Sequence, residues 1–435
     1  MPTMSMLRWL LPVLLLIPVA LSAAPVVLTA DRPVVLLGPE LEYLEDPLGE
    51  LGIEALRAGQ HRGDWARSGQ DILSFGYTRS VYWVRFRLVQ QDREAISHLV
   101  EIAHPVLDRL DAYIYRNGAL IDRYSMGDRL PYQARPVDHP NYIFPVRTFP
   151  TDVTEVYLRV ESTSSVQIPV GIFRGNALLE AKHNEALTSA LFYGAMIIMF
   201  MYNLLLFLAT RDISFFYYVM YVASILFLLA GIQGLTYRFI WPDNPWMNDP
   251  ALVVALSGLI FFPSLFFRSF LALPTTRPTL SRILYVFAVL SILTAIAGFF
   301  LPYRLMIVSN ILLVICAIMV GFWSGVVRLL DGYHAARYFL IAWTFMLGAG
   351  LLLAINKFGM LPRNWFTENV GQIGACMELM LLSFALANRI NYERRLREYA
   401  QQESSAAQRK LLAHQIRANE QLDRTVRERT AELEK

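Results

Sequence analysis

Residues 186–209 read ALTSALFYGAMIIMFMYNLLLFLA, a run with no charged side chain anywhere in it. A helix rises 1.5 Å per residue, so about 20 apolar residues suffice to cross the hydrocarbon of a bilayer. In water such a helix would need covering on every side, whereas lipid covers it at no cost. We therefore read a transmembrane helix, and six further apolar runs make that reading general. They lie at about 214–236, 250–272, 281–302, 305–328, 336–356 and 366–388. Pro263 interrupts the third and predicts a kink, which neighbouring helices can accommodate. The whole chain agrees: of 435 residues, 55% are hydrophobic and 17% charged, against about 25% charged in soluble domains.

Upstream of these runs the chain opens with Arg8, an apolar stretch from Leu10 to Leu21, and the small residues Ser22, Ala23 and Ala24. That is the pattern of a secretory signal peptide, here residues 1–23. An uncleaved anchor is the alternative, but the apolar core is short for a span. Either way, residues 24–182 are expected outside the cytoplasm.

This outer segment has ordinary globular composition. From Ser80 to Leu88, Tyr82, Val84, Phe86 and Leu88 alternate with Trp83, Arg85 and Arg87, the period of a half-buried strand. Asn117-Gly118 separates Asp111–Arg116 from Ala119–Tyr124, a strong hairpin signal because both turn positions need positive φ. Glu155–Glu161 alternates again, and Ala55–Gly59 is read as a brief helix. Short strands with turn signals between them predict a β-sandwich. His61, His98, His104 and His139 show no metal-ligand spacing, and the two cysteines, Cys316 and Cys376, fall in apolar runs.

An exported domain followed by seven spans places the C-terminus in the cytoplasm. Loop charge supports this orientation. The expected inner side carries Arg211, Arg268, Arg277, Arg282, Arg328 and Arg337, against Arg238, Arg304, Lys357 and Arg363 outside. Arg389, Arg394, Arg395 and Arg397 close behind the last span decide it. Within the spans Glu378, Asn203 and Asn310 are functional candidates, with interhelical hydrogen bonding the plainer account.

Composition changes abruptly at the end. Between Arg389 and Lys435 there are 11 basic and 8 acidic residues and no Gly or Pro. Leu412, Ile416, Leu422, Val426 and Leu433 form a heptad-like seam with an offset near Asn419. A solvated single helix is one reading. Dimerisation through the seam fits better, because a long isolated polar helix is marginal in water. The chain stops inside this helix, so an output domain is expected beyond Lys435.

The segments in this order resemble the bacterial seven-transmembrane receptors with diverse intracellular signalling modules. In the outer domain the resemblance rests on Tyr43-Leu44-Glu45-Asp46-Pro47, Phe75-Gly76-Tyr77-Thr78 leading into Val81–Phe86, and Arg135-Pro136 before His139-Pro140-Asn141-Tyr142. These are similar to that family's type 2 extracellular sensor, a jelly-roll like carbohydrate-binding modules. In the membrane part it rests on Met201-Tyr202-Asn203-Leu204, Gly234-Leu235-Thr236-Tyr237 with Trp241-Pro242, and Gln372-Ile373-Gly374 with Leu386–Arg389. Glu428–Glu434 is similar to linkers that precede histidine-kinase or diguanylate-cyclase domains.

The resemblance implies a periplasmic jelly-roll sandwich, an all-α seven-helix bundle over 186–388 and a signalling coiled coil over 389–435, in a bacterial inner membrane. It implies a homodimer in membrane lipid that senses a sugar, an amino acid or calcium. The signal would pass to a kinase or cyclase module, with a response regulator or partner kinase downstream. No catalytic motif, cofactor or nucleic-acid signature is expected in this chain. A transporter with an outer substrate-binding domain is the competing reading, though no internal repeat supports it. As ligand-binding candidates we take Asp46, Trp83, Arg85, Asp108, Tyr142 and Glu161: aromatic rings stack on sugars, and Arg with Asp or Glu holds a carboxylate or a cation. For Trp83 and Arg85 a purely structural role is the alternative.

Overall fold

The computed structural model describes residues 24–357 and 365–433. The expected signal peptide over 1–23, Arg363 and the final Glu434-Lys435 lie outside the described residues. By its packing the chain divides into two compact units. One comprises the N-terminal part up to Met196 with Val219–Leu265 and Ile283–Ile318; the other comprises Ile197–Tyr218, Phe266–Arg282 and Met319 onward.

The first unit begins as β structure. The strands are β1 (Val26–Leu28), β2 (Val34–Leu37), β3 (Glu42–Asp46), β4 (Ala66–Arg67), β5 (Leu73–Tyr77), β6 (Val81–Gln90) and β7 (Ile96–Ile102). After them come β8 (Arg109–Arg116), β9 (Ala119–Met126), β10 (Tyr142–Thr148), β11 (Val153–Glu161), β12 (Ser165–Ile168) and β13 (Val170–Arg174). A short helix α1 (Ile53–Arg57) follows β3, close to its expected place. The larger sheet runs β4-β3-β6-β11-β8-β9 with β1 beside β6; the smaller runs β10-β7-β13-β2; β12 and β5 pair separately. The expected hairpin is β8–β9, with φ of 49° at Asn117 and 87° at Gly118.

Alternation decides what each sheet face buries. Tyr82, Val84, Phe86 and Leu88 of β6 share one core with Val156 and Leu158 of β11 and with Val100, Phe144 and Ile172 of the smaller sheet. The two sheets thus face each other across a common interior. The reading of β6 as half-buried needs correction. Its other face is covered too, because Val81 and Trp83 pack with Leu44, Ile53, Leu56, Tyr113, Tyr115 and Tyr157 in a second cluster. Helix α1 and its flanks supply this cover, and burying a large apolar side chain is worth about 1.5–3 kcal/mol.

Apolar helices follow: α2 (Ala177–Thr210), α3 (Ile213–Ile232), α4 (Leu235–Phe239), α5 (Asn248–Phe270), α6 (Leu273–Thr276), α7 (Pro278–Ala297), α8 (Tyr303–Leu330), α9 (Ala336–Lys357) and α10 (Trp365–Leu433). Among the described residues six helices are long and apolar enough to cross a membrane; the apolar stretch of α9, Ala336–Leu352, is shorter. The expected second span is interrupted. Gly234, at φ 71°, ends the helical path after α3, and the short α4 starts anew. Helix α5 continues through Pro263.

In the first unit, Asn310 of α8 accepts from Ser257 of α5 and Thr294 of α7, at 3.2 and 2.9 Å. In the second, Ser383 of α10 donates to Asn203 of α2 at 3.0 Å, and the Tyr218 hydroxyl donates to the Leu379 carbonyl at 2.6 Å. Both asparagines therefore serve interhelical hydrogen bonding, and Glu378 is fully buried. Phe267 meets Phe339 and Trp343 of α9 edge-on, each at 5.2 Å. Room for that ring exists because position 321 is glycine: a Cβ there would lie 2.2 Å from Phe267. At one end Arg389 donates to Ser214 and to the Ser269 carbonyl, while Arg277 pairs with Asp331 at 2.5 Å. Helix α10 runs unbroken from the last expected span into the charged tail, whose residues 398–427 are all exposed.

Candidate functional site

The outward face of the larger sheet can be read row by row from strand register. One row places Leu44, Trp83, Arg159, Asp111 and Ser125 side by side across β3-β6-β11-β8-β9. The next places Glu42, Arg85, Tyr157, Tyr113 and Arg123 in the same order. Because side chains alternate faces, these residues all project away from the shared core. Over them, the loop after β3 and the start of α1 raise a wall of Leu51, Gly52, Ile53 and Glu54.

Between wall and sheet lies a cleft of about 330 Å³, lined also by Trp83, Arg109, Asp111, Tyr113, Tyr115, Arg123 and Arg159. That volume falls within the range of small-molecule sites, about 300–1,000 Å³. Trp83 and Tyr113 stack with centroids 5.9 Å apart. The Arg123 guanidinium lies 5.1 Å from the Tyr113 ring centre. Asp111 is already engaged, taking Arg109 at 3.0 Å on one oxygen and the Ser125 hydroxyl on the other. Arg159 pairs with Glu161 at 2.9 Å. Burial foremost, and then the Asp111 charge, raise the Tyr113 phenol above its ordinary value, so it is a neutral group there. The Trp83 indole N–H is buried and has no hydrogen-bond partner among the described residues, a costly condition for a polar group.

Four of the six candidates from the sequence fall on this face. Trp83 lines the cleft. Glu161 holds Arg159, and Asp46 shapes the wall by accepting the amides of Gly49 and Leu51, each at 2.9 Å. Arg85 sits one row away, paired with Glu42 at 2.5 Å and lying 4.1 Å from the Trp65 ring centre. The other two lie elsewhere. Tyr142 is in the inter-sheet core, its hydroxyl held by the carbonyls of Pro105 and Leu107. Asp108 sits at the end of the sandwich, bound by Arg129, Ser162 and Thr163. Sequence reasoning missed Arg109, Asp111, Tyr113, Tyr115, Arg123 and Arg159 as a group. The signal was the polar and aromatic alternation of β8, which we used only to place the hairpin.

Asp108 belongs to a second constellation, where the sandwich meets the segments joining α3 to α5. Arg129 bridges Asp108 and Asp249, at 2.6 Å each. Gln133 donates to Asp243 at 2.6 Å, Arg238 pairs with Asp138 at 3.0 Å, and Asn248 donates to the Asp128 carbonyl at 2.7 Å. The Tyr132 amide donates to Pro242, and the Tyr237 hydroxyl to Leu130. At the centre Arg135 is 7% exposed and lies against the rings of Tyr132, Tyr142 and Tyr237, at 4.6, 4.6 and 5.8 Å. Burial pushes the phenols of Tyr132 and Tyr237 up to about 12. Burial also raises the Asp128 carboxyl well above its usual range, with Asp108 and Asp249 adding to it. A third link is the start of α2. Leu178 packs on Ile143 and Phe173, and Lys182 pairs with the buried Glu101 at 2.8 Å.

Two family models match the chain. Residues 185–389 match the model described as 7TM diverse intracellular signalling, and residues 38–174 match 7TMR-DISM extracellular 2. No curated protein matches it.

Proposed function

On the premise that this chain belongs to the seven-transmembrane receptors with diverse intracellular signalling modules, we propose that it senses a small periplasmic ligand in the cleft on the larger sheet and relays binding across the inner membrane. Membership makes it a multi-pass membrane protein with an extracellular N-terminal sensor domain. The observation that carries the relay is the constellation around Arg135. Polar contacts and a caged guanidinium fasten the sandwich to the segments leading into α3 and α5, while Lys182 and Leu178 fasten it to α2. A ligand that favours one arrangement of the sheet then biases those helices, by no more than its differential affinity for the two arrangements.

Several finer readings go with this one. Successive strands such as β6, β7 and β8 alternate between the two sheets, which supports a jelly-roll. We take α9 as the remaining span, giving seven, and the arginines behind the last span, Arg389, Arg394, Arg395 and Arg397, favour a cytoplasmic C-terminus. Leu411, Leu412, Ile416, Leu422 and Val426 are 51–63% exposed on a helix, and a second copy is the natural cover for them. The tail would then drive a histidine kinase or diguanylate cyclase, this chain itself performing no catalysis.

The test needs no ligand. Cysteines replacing Arg129 and Asp249 lock the outer contact when oxidised, in membranes carrying the full chain. Same-residue crosslinking is then scanned from Leu412 to Val426. The reading expects crosslinks along the seam whose pattern differs between the locked receptor and one that keeps Arg129 and Asp249, both oxidised alike. An identical pattern in both states removes the relay, and crosslinks absent throughout remove the dimer.

A further inference from the structure

We propose that the cleft takes a small organic carboxylate, its anionic group held by Arg123 and Arg159 and its body laid over Trp83 and Tyr113. This inference rests on the cleft being the sensing site and adds the chemical class of its ligand. The argument starts from charge. Three arginines and two carboxylates line the cleft, and Asp111 is consumed by Arg109 and Ser125. Two of the three guanidiniums are already paired, Arg109 with Asp111 and Arg159 with Glu161, which leaves Arg123 on the sheet and Glu54 on the wall without an ion pair among the described residues.

For an anion the same lining is complementary. Arg123 is exposed on edge strand β9 and has no carboxylate within ion-pair distance among the described residues; its contact is the Tyr113 ring. Arg159 is held by Glu161 at 2.9 Å. Planar guanidinium groups bind carboxylates with two parallel hydrogen bonds, stronger than neutral ones. The ligand needs more than a charge. Tyr113 lines the cleft as a neutral phenol. A ligand offering a carbonyl or hydroxyl oxygen beside its carboxylate gives that hydroxyl an acceptor, while its carbon skeleton covers the aromatic rings lining the cleft. Uronic acids and amino acids have this combination; neutral sugars and calcium lack the anionic group.

The experiment is equilibrium binding to the full chain in nanodiscs, using D-glucuronate and L-glutamate as probes and D-glucose and calcium chloride as comparators. At least one carboxylate should bind saturably, and neither comparator should displace it. Arg123→Ala should weaken that binding about tenfold or more, a charge-assisted hydrogen bond being worth about 1.5–3 kcal/mol. Arg123→Lys should recover only part of the loss. Arg123 is exposed on an edge strand, so these variants should retain the wild-type thermal transition. Failure of both carboxylates to bind, equal binding of glucose, displacement by calcium, or unchanged affinity in Arg123→Ala overturns the proposal. The locked-junction crosslinking is read without any ligand, so its outcome separates failure of the relay from failure of this assignment.

Discussion

Gly234 offers the most direct test of how the outer domain is seated. Its φ of 71° lies in the left-handed region, and a Cβ placed there would stand 3.1 Å from Pro105 Cβ and 3.4 Å from Pro140 Cβ. Carbon atoms rest at about 3.5–4.0 Å, and proline rings cannot rotate aside. Gly234→Ala therefore carries two costs. The left-handed conformation costs about 1–2 kcal/mol for a residue with a Cβ, and overpacking a tight site adds about 1–3 kcal/mol. At about 1.4 kcal/mol per factor of ten, the seated state should lose a factor of about 30 or more. The assay is hydrogen exchange of the full chain in nanodiscs, read at the Tyr132 amide, which donates to Pro242 at 3.1 Å across the contact. Exchange there should rise at least tenfold in Gly234→Ala. It should not change in Gly348→Ala, where the added methyl meets nothing within 4 Å. Unchanged protection at Tyr132 in Gly234→Ala would refute the seating described here.

Two further predictions concern other parts of the molecule. Asp128 has a folded-state value raised mainly by burial, so the folded protein holds its proton longer than the unfolded chain does. Stability should then fall as pH rises from the ordinary carboxylate range through the raised value. In Asp128→Asn the thermal transition of the outer domain should be flatter with pH and higher at neutral pH; parallel curves for the two proteins would contradict this. Position 374 marks a close approach of α10 to α9, a Cβ there lying 2.2 Å from that of Ala349. Small residues let membrane helices approach this closely. Gly374→Val should lower the stability of that helix pair by about 1–3 kcal/mol, measured by thermal unfolding in nanodiscs, and an unaltered transition would show that the helices do not pack through this position.

The sequence alone determined where lipid takes over from water, because burial in hydrocarbon needs a run of apolar residues that no soluble element requires. Period-two patterning placed β6 and β11, and Asn117-Gly118 placed the β8–β9 hairpin, since few other pairs accept two positive φ angles. These are local properties, carried by neighbouring residues. Tertiary structure decided the rest. Trp83 was legible as outward-facing, yet nothing beside it in sequence announced that Tyr113 and Arg159 would lie alongside or that α1 would roof them. That depends on register between strands tens of residues apart. Tyr142 reads like Trp83 as an aromatic in a strand, but it fills the inter-sheet core, because it shares the inward-facing side of β10 with Phe144 and Val146. Asp108, Arg129 and Asp249 are ordinary charges in three separate segments; only folding brings them within 2.6 Å contacts of one another. Patterning tells a side chain which face to take, and only the packed fold decides what that face meets.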